Sequence, residues 1–206
     1  PKSLELNLNQ IIPIVSMEKL DEEKFLMEDQ IEQLNKSIPY RFGAPFDVNL
    51  NLDNSGQWIE TESGRVWFLS IKSESAYSIN LIYDNFIIPE GAEMFVYDEN
   101  MEHILGAFTH LNNKDYQTFS TAPTKGDVTI IEYFEPYDVD FNGEISIGSV
   151  IHGYRDVFFN QNRGYGDSGS CNNNVNCSEF SDWGDEVRSV AMILTSGGSR
   201  LCTGTL

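Results

Sequence analysis

The chain has 206 residues, and a hydrophobic content of 40% is enough for a packed core in one large or two modest domains. Its 32 acidic and 13 basic residues give a net charge of −19, which excludes nucleic acid as a partner because a polyanion would be repelled. Residues 1–163 hold 27 of the acids and 11 of the bases, so the acidity belongs to the leading region and indicates mainly solubility. The sequence contains no run of eighteen apolar residues and therefore predicts no membrane-spanning helix, and no signal peptide is visible at Pro1.

Residues 1–45 are predicted to be a lead-in segment with one amphipathic helix. Asp21 is a suitable N-cap, and the acids that follow it favour a first helical turn. The helix should end at Ile38, because the residue before Pro39 disfavours the helical conformation. We expect the helix to lie on an apolar surface through one face, formed by Leu20, Met27, Ile31 and Leu34.

Residues 46–158 change from a helical period to a period of two. Turn-forming residues separate six short β-rich runs, and no helical pattern lies between them. The runs are Val66–Ile71, Ser78–Tyr83, Glu93–Tyr97, Gln117–Ser120, Asp127–Phe134 and Glu144–Ile151. This order is typical of a mainly β fold, an antiparallel β-sandwich of the jelly-roll kind.

Residues 159–167 are polar and contain glycine, which is typical of an exposed linker where proteolytic cleavage concentrates. Arg163 is the only basic residue in this linker, so we expect processing to occur after it. No lysine follows Lys125, so a strictly lysine-specific enzyme does not cut itself here. Either the enzyme accepts arginine, another protease makes the cut, or processing occurs at a different residue and Arg163 is an ordinary linker residue.

Residues 168–206 differ in composition and contain all three cysteines of the chain. They open with Ser-Gly-Ser-Cys-Asn at residues 168–172, continue with Val175 and Cys177, and end with Cys-Thr-Gly-Thr-Leu at residues 202–206. An Arg-Ser-Val segment at residues 188–190 lies between these motifs. The order of the motifs resembles the start of the mature domain of bacterial lysyl endopeptidase and similar secreted trypsin-like serine proteases.

The resemblance implies a chymotrypsin-like double β-barrel, of which this chain holds the first strands, and a catalytic triad that lies entirely beyond Leu206. It also implies that Cys171, Cys177 and Cys202 form disulfides with partners beyond the chain end, in an oxidising, extracellular location. A bridge between Cys171 and Cys177 remains an alternative. Zinc is disfavoured by the cysteine spacing and by the absence of a histidine after Cys171. The strand-like runs 187–194 and 201–206 should pack poorly or borrow the edge of the sandwich or of another copy.

The sandwich region has a resemblance of its own. The stretches Val66–Ser73, Ser75–Leu81 and Ile88–Tyr97, together with His152–Arg155, resemble the pro-region found ahead of secreted lysyl-endopeptidase-like proteases. The resemblance implies that residues 1–163 act as a folding chaperone and inhibitor whose partner is the protease domain of the same chain. The complete enzyme would take protein or peptide substrates and cleave after a basic residue.

Ser168 has the setting Gly-Asp-Ser-Gly that surrounds a protease nucleophile, but a nucleophilic serine needs a histidine within hydrogen-bond reach. All three histidines, His103, His110 and His152, lie upstream in the predicted sandwich, so we interpret Ser168 as a linker residue. His103 and His110 are expected to be surface histidines rather than metal ligands.

Several acids near Asn and Gly are candidate calcium ligands, but they lack the fixed spacing of a calcium loop and are better explained as solvated surface groups. They are Asp47, Asp53, Asp84, Asp98 and Asp138. No cofactor or metal is predicted. The alternative to a protease precursor is a non-enzymatic sandwich that binds carbohydrate or a cell-surface partner, with the cysteine-rich end as an attachment segment. The many aromatic residues suit a carbohydrate platform, although aromatic residues in strands more often fill the core.

Overall fold

The computed structural model describes residues 1–8, 11–32, 38–158 and 182–205. These residues form three α-helices, α1 (Lys2–Glu5), α2 (Glu22–Glu32) and α3 (Gly184–Ser189), and a 3-10 turn at His110–Asn112. Within the described ranges no helix has the length and apolarity needed to cross a membrane. The fourteen strands are β1 (Ile14–Ser16), β2 (Tyr40–Arg41), β3 (Gly43–Asn51), β4 (Gln57–Glu60), β5 (Gly64–Lys72), β6 (Ser78–Ile87), β7 (Glu93–Asp98), β8 (Ile104–Phe108), β9 (Phe119–Ser120), β10 (Thr124–Lys125), β11 (Val128–Pro136), β12 (Glu144–Gly153), β13 (Val190–Leu194) and β14 (Ser199–Thr205).

Two sheets face each other and form the sandwich predicted from the sequence. The first has the strand order β1-β5-β11-β7-β8, with β4 also paired to β5, and the second has the order β10-β6-β12-β3, with β9 also paired to β6. Neighbouring strands are antiparallel except β1, which runs parallel to β5. Part of the lead-in segment therefore belongs to the first sheet.

The main core lies between the two sheets and is built by alternate residues of each strand. Trp67, Leu69 and Ile71 of β5 point inward, as do Met94 and Val96 of β7. All five side chains are at most 1% exposed. Burial of this kind is the dominant favourable term in folding, at roughly 25 cal/mol per Å² of apolar surface.

The opposite face of the first sheet is also covered, which explains why β5 is apolar on both sides. Val66, Phe68 and Phe134 form a second buried cluster, against which Leu8 and Ile12 of the N-terminal segment pack. The side chains of β5 that point away from the main core are therefore covered by the N-terminal segment rather than exposed to solvent.

A buried carboxylate ties the N-terminal segment to this outer face. The side chain of Glu132 in β11 accepts hydrogen bonds from the backbone N–H of Ser3 at 2.9 Å and from the Ser3 hydroxyl at 2.6 Å. The Tyr97 hydroxyl donates to the same carboxylate at 3.0 Å, and burial raises the pKa of Tyr97. Glu132 is 0% exposed, so these donors replace the water that it loses.

The predicted helix is present, but our prediction of its packed face is wrong. The Asp21 carboxylate caps α2 as predicted, accepting from the Lys24 N–H at 3.1 Å. Met27 and Ile31, however, are 66% and 73% exposed, whereas Asp29 is buried. Arg41 of β2 and Arg155, which follows β12, bind this inner face, and apolar periodicity does not detect such charged partners.

The end of the described chain forms a separate three-stranded sheet with the order β13-β14-β2. We refer to residues 190–205 as the β13–β14 hairpin. Within the described ranges, its second strand pairs with β2, the two-residue strand just before β3, and with no strand of either sandwich sheet. The strand predicted from residue 187 begins only at Val190, because Asp185 and Glu186 favour the first turn of α3.

Candidate functional site

The β13–β14 hairpin meets the rest of the chain through backbone hydrogen bonds along one edge. In the ladder between β14 and β2, residues 199–200 lie opposite residues 40–41. Just outside this ladder, the carbonyl oxygen of Gly198 accepts from the backbone N–H groups of Phe42 and Gly43, at N–O distances of 2.8 and 3.0 Å. The start of the sandwich thus supplies the donors for the turn of the hairpin.

The turn between β13 and β14 has a conformation fixed by its own hydrogen bonds. The Thr195 N–H donates to the Ser199 carbonyl at 2.8 Å, and the Gly198 N–H donates to the Thr195 carbonyl at 3.1 Å. The Thr195 hydroxyl accepts from the Ser199 N–H at 3.2 Å. Gly198 has φ +76°, a left-handed conformation that glycine adopts at little cost.

Gly198 is also the point of closest approach between the hairpin and the sandwich. A Cβ atom there would overlap the carbonyl oxygen of Gly43 and lie 3.0 Å from Cγ2 of Ile151. The neighbouring Gly197 differs, because a Cβ atom there would meet nothing nearer than the Thr195 hydroxyl at 3.9 Å. Contact with the sandwich therefore requires glycine at position 198 but not at position 197.

A cleft of about 750 Å³ lies beside this contact, between the hairpin and one end of the sandwich. The hairpin contributes Met192, Leu194, Thr195 and Ser196 to its wall. The sandwich side includes Lys114 and Tyr116, both exposed, and the more buried Phe119. The cleft combines apolar walls with a few polar groups, as ligand sites commonly do.

Strand β2 is held in place by a group of side chains that we call the Asp29 cluster, formed by Asp29, Arg41, Tyr154 and Arg155. Oδ1 of Asp29 accepts from Nε of Arg41 at 2.8 Å. Oδ2 accepts from the Tyr154 hydroxyl and from Nη2 of Arg155, both at 2.8 Å. Burial lowers the pKa of Arg41, but its hydrogen bonds with Asp29 and Glu28 outweigh this and raise it. Burial and then the hydrogen bond to Asp29 raise the pKa of Tyr154.

A serine, a histidine and a glutamate meet in the sandwich, but they do not form a hydrolytic site. The Ser73 hydroxyl and Nδ1 of His152 share a hydrogen bond of 2.7 Å, and Nε2 of His152 lies 3.6 Å from Oε1 of Glu22. Ser73 is 0% and His152 1% exposed, so no substrate reaches the hydroxyl. Burial lowers the pKa of His152, and its ring packs edge-on against Phe46, with 6.3 Å between ring centroids.

Most of the processing and cysteine residues predicted from the sequence lie outside the described residues. These are Arg163, Ser168, Cys171 and Cys177. Cys202 lies on β14, exposed and with a free thiol.

Three of the residues that were predicted to lie at the surface have structural roles. The His103 ring packs edge-on against Phe158, with 5.6 Å between ring centroids. His110 begins the 3-10 turn that Thr109 caps. Asp98 is buried rather than solvated, and its carboxylate accepts from the Glu102 N–H at 2.8 Å. Across the part of the chain that the structure describes, no group of three His, Cys, Asp or Glu residues could hold a metal ion.

Sequence reasoning did not single out Asp29, Arg41 or Gly198, and it named Arg155 only as the end of the His152–Arg155 stretch. The signal available for Asp29 was its spacing of seven residues from Glu22, which places both acids on one helix face. The partners of Asp29 could have been sought at the two places where an arginine follows a tyrosine, Tyr40-Arg41 and Tyr154-Arg155.

Comparison with protein families relates the end of the chain to a protease. Residues 165–206 match the family model described as "Lysyl endopeptidase, C-terminal domain". The match spans about a fifth of the chain and includes the whole β13–β14 hairpin. The hairpin in contact with the sandwich is therefore the part of the chain that is similar to a peptidase.

Among solved structures, the chain is similar to one described as "Structure of a family 35 carbohydrate binding module from an environmental isolate". The identity is 21%, and the alignment covers 58% of this chain and 90% of that one. The TM-score is 0.23, too low for this likeness to support any conclusion about the fold or function of this chain.

Proposed function

We propose that residues 1–163 are the pro-region of a secreted serine endopeptidase, which assists folding of the protease domain and covers it until processing. Residues 168–206 are then the beginning of that domain. The match of residues 165–206 to lysyl endopeptidase supports the peptidase assignment. The complete enzyme hydrolyses bonds after a basic residue by serine acyl transfer. Its catalytic triad lies beyond residue 206, so residues 1–206 alone are inactive.

The observation that carries this proposal is the pairing of β14 with β2, together with the hydrogen bonds from Phe42 and Gly43 to Gly198. A double β-barrel depends on non-local strand pairing, which forms slowly and leaves strand edges exposed meanwhile. A folded neighbour that offers a strand edge covers one of these edges and fixes the register of the strand. The first residues of the sandwich are in position to do this for the hairpin.

Processing in this proposal occurs after Arg163, between the sandwich and the peptidase-like segment. The three cysteines then pair with residues of the protease domain beyond position 206, which requires an oxidising, extracellular location.

The test uses the gene extended past Leu206, expressed with and without residues 1–163, and assayed on matched lysine and arginine peptide amides. We expect activity only when the leading region is present, or when residues 1–163 are supplied as a separate chain. Mass spectrometry of the mature N-terminus locates the cut, which we expect at Gly164. Full activity without residues 1–163 would overturn the chaperone role.

A second candidate function is a sandwich that binds carbohydrate, favoured by the exposed Tyr116 and Lys114 at the wall of the cleft. An exposed aromatic ring beside polar groups suits a sugar face. Calorimetry with soluble glycans tests this function. It compares Tyr116→Ala with the control Tyr137→Ala, whose tyrosine is exposed but is not part of the cleft wall. Binding that only Tyr116→Ala abolishes supports this function, and no heat with any glycan excludes it for the sugars used.

A further inference from the structure

Helix α2 is attached to the rest of the chain mainly through charge and hydrogen bonding, and Phe25 adds one ring contact with Tyr154, at 5.7 Å between centroids. Among the described residues, neither apolar core cluster includes a side chain of α2 or β2. The outward side chains Met27 and Ile31 are 66% and 73% exposed. The attachment of this helix is therefore separable from the core that stabilises the sandwich.

The buried carboxylate at the centre of this attachment has every acceptor position used. The Asp29 side chain is 4% exposed, and each of its oxygens receives a guanidinium, from Arg41 at 2.7 Å and from Arg155 at 2.8 Å. The Tyr154 hydroxyl adds a further hydrogen bond. Charge-assisted bonds of this kind are stronger than neutral ones, and removing one partner of a buried pair leaves an uncompensated charge.

Strand β2 depends on this carboxylate, because it consists of two residues only. Within the described residues its one strand partner is β14. Arg41 reaches Asp29 directly, and Tyr40 reaches it through Arg155, whose Nη1 donates to the Tyr40 hydroxyl at 3.2 Å. The Arg155 guanidinium also lies 5.0 Å from the centre of the Tyr40 ring. Both residues of β2 are therefore fixed by contacts that converge on one side chain.

We propose that Asp29 is a positioning residue that holds β2 as the acceptor strand for the β13–β14 hairpin, so that the hairpin is bound or released according to the state of the Asp29 cluster. This inference rests on the proposed function, in which the hairpin is the peptidase segment that the leading region binds. Loss of the cluster frees the hairpin while the sandwich stays folded. The helix α2 and strand β2 thus form a clamp, defined as residues 22–32 and 40–41, between the two parts of the chain.

The first experiment compares Asp29→Asn with Glu28→Gln by amide hydrogen exchange in the whole 206-residue chain. Glu28 is a matched control on the same helix, because it also contacts Arg41, at 3.2 Å, but its side chain is 42% exposed. We expect Asp29→Asn to speed exchange at Phe42 and Gly43 and in the hairpin by about tenfold or more, and Glu28→Gln by less than about twofold. Exchange in β5 and β11 stays unchanged in both.

Two results would overturn the inference. One is unchanged protection of Phe42, Gly43 and the hairpin in Asp29→Asn. The other is equal loosening of β5 and β11, which would make Asp29 a general stabilising residue. If Asp29→Asn does not fold, Tyr154→Phe is the substitute, since it removes one hydrogen bond and keeps both arginines. We then expect a smaller rise in exchange at the same amides and none in β5.

The outcomes separate this inference from the proposed function. If Asp29→Asn frees the hairpin but the extended gene yields active enzyme without residues 1–163, the clamp stands and the chaperone role fails. If the hairpin stays protected but activity still requires residues 1–163, the chaperone role stands and the clamp fails.

Discussion

The sandwich and the β13–β14 hairpin contrast in how they bury apolar side chains. In the sandwich, Trp67 and Tyr133 are at most 1% exposed and lie between two sheets. In the hairpin, Val190 is 53%, Ile193 43% and Leu201 55% exposed. An isolated two-stranded hairpin is at best marginally stable in water. The sandwich is therefore stable through its own core, whereas the hairpin relies on the strand edge, glycine contact and charge cluster beside it.

The largest effect is expected from a substitution in the core of the sandwich. Trp67→Ala removes a side chain that packs between the sheets, and we expect it to lower the free energy of unfolding by about 3–5 kcal/mol. Ile193→Ala, on the hairpin and 43% exposed, should lower it by less than about 1 kcal/mol. Urea unfolding followed by tryptophan fluorescence measures both. Similar losses in the two variants would contradict the contrast.

A smaller effect is expected when only the contact between the two regions is broken. Gly198→Ala places a methyl group against the Gly43 carbonyl at a positive φ and should cost about 1–3 kcal/mol in hairpin attachment. Hydrogen exchange of the hairpin should speed up, while that of β5 stays the same. Gly197→Ala is the matched control and should leave both regions protected, because its methyl group would meet only the Thr195 hydroxyl, at an ordinary contact distance of 3.9 Å.

A pH dependence should act on the sandwich through His152. Burial lowers the pKa of this imidazole below its ordinary value of 6.5, so the unfolded chain binds its proton more readily than the folded one. This contribution to stability is fully present above about pH 6.5 and is lost as the pH falls toward the lowered pKa.

The test compares unfolding free energies at about pH 7.5 and about pH 5, on either side of the ordinary histidine pKa. The acid-induced loss should be smaller in His152→Gln than in the wild-type chain. His110→Gln is the control and should retain the wild-type loss. An equal acid-induced loss in all three proteins would show that His152 does not contribute.

The smallest effect is expected at Cys202. Because its thiol is free and exposed on β14, Cys202→Ser should change the free energy of unfolding by no more than about 0.5 kcal/mol. With Cys171 and Cys177 replaced by serine, the thiol should react with a thiol reagent as fast in buffer as in denaturant. Protection of the thiol in buffer would mean that the hairpin is more enclosed than its exposure indicates.

The sequence predicted the strands that supply the inward side chains of the core and the N-cap of α2. It did not predict β3, because Asp47, Asn49 and Asn51 are poor strand formers and Pro45 lacks an N–H group. This strand lies at a sheet edge, where one polar face and a proline are tolerated. The period of two was nevertheless present in β3, where Phe46, Val48 and Leu50 alternate with the polar residues and pack on the core, and the low strand propensity of those polar residues concealed it.

The site was harder to predict than the fold, for a related reason. Asp29 is buried by arginines that are 12 and 126 residues away in sequence, and no local pattern encodes such a pairing. The motifs of the C-terminal segment identified a relation to peptidases, which the family match supports for residues 165–206. They did not indicate that Gly198 contacts the sandwich, since a glycine in a turn is ordinarily explained by the turn alone.

The position of β2 in the chain has a consequence for the order of events during translation. Among the described residues, the sandwich groups that bind the hairpin backbone and the side chains that fix β2 lie at or before Arg155, and the hairpin begins only at Val190. At about 5–20 residues per second, the ribosome needs a few seconds to synthesise the intervening stretch. The acceptor strand is thus synthesised before the strand that it receives, and vectorial synthesis favours pairing within one chain over exchange between neighbouring nascent chains.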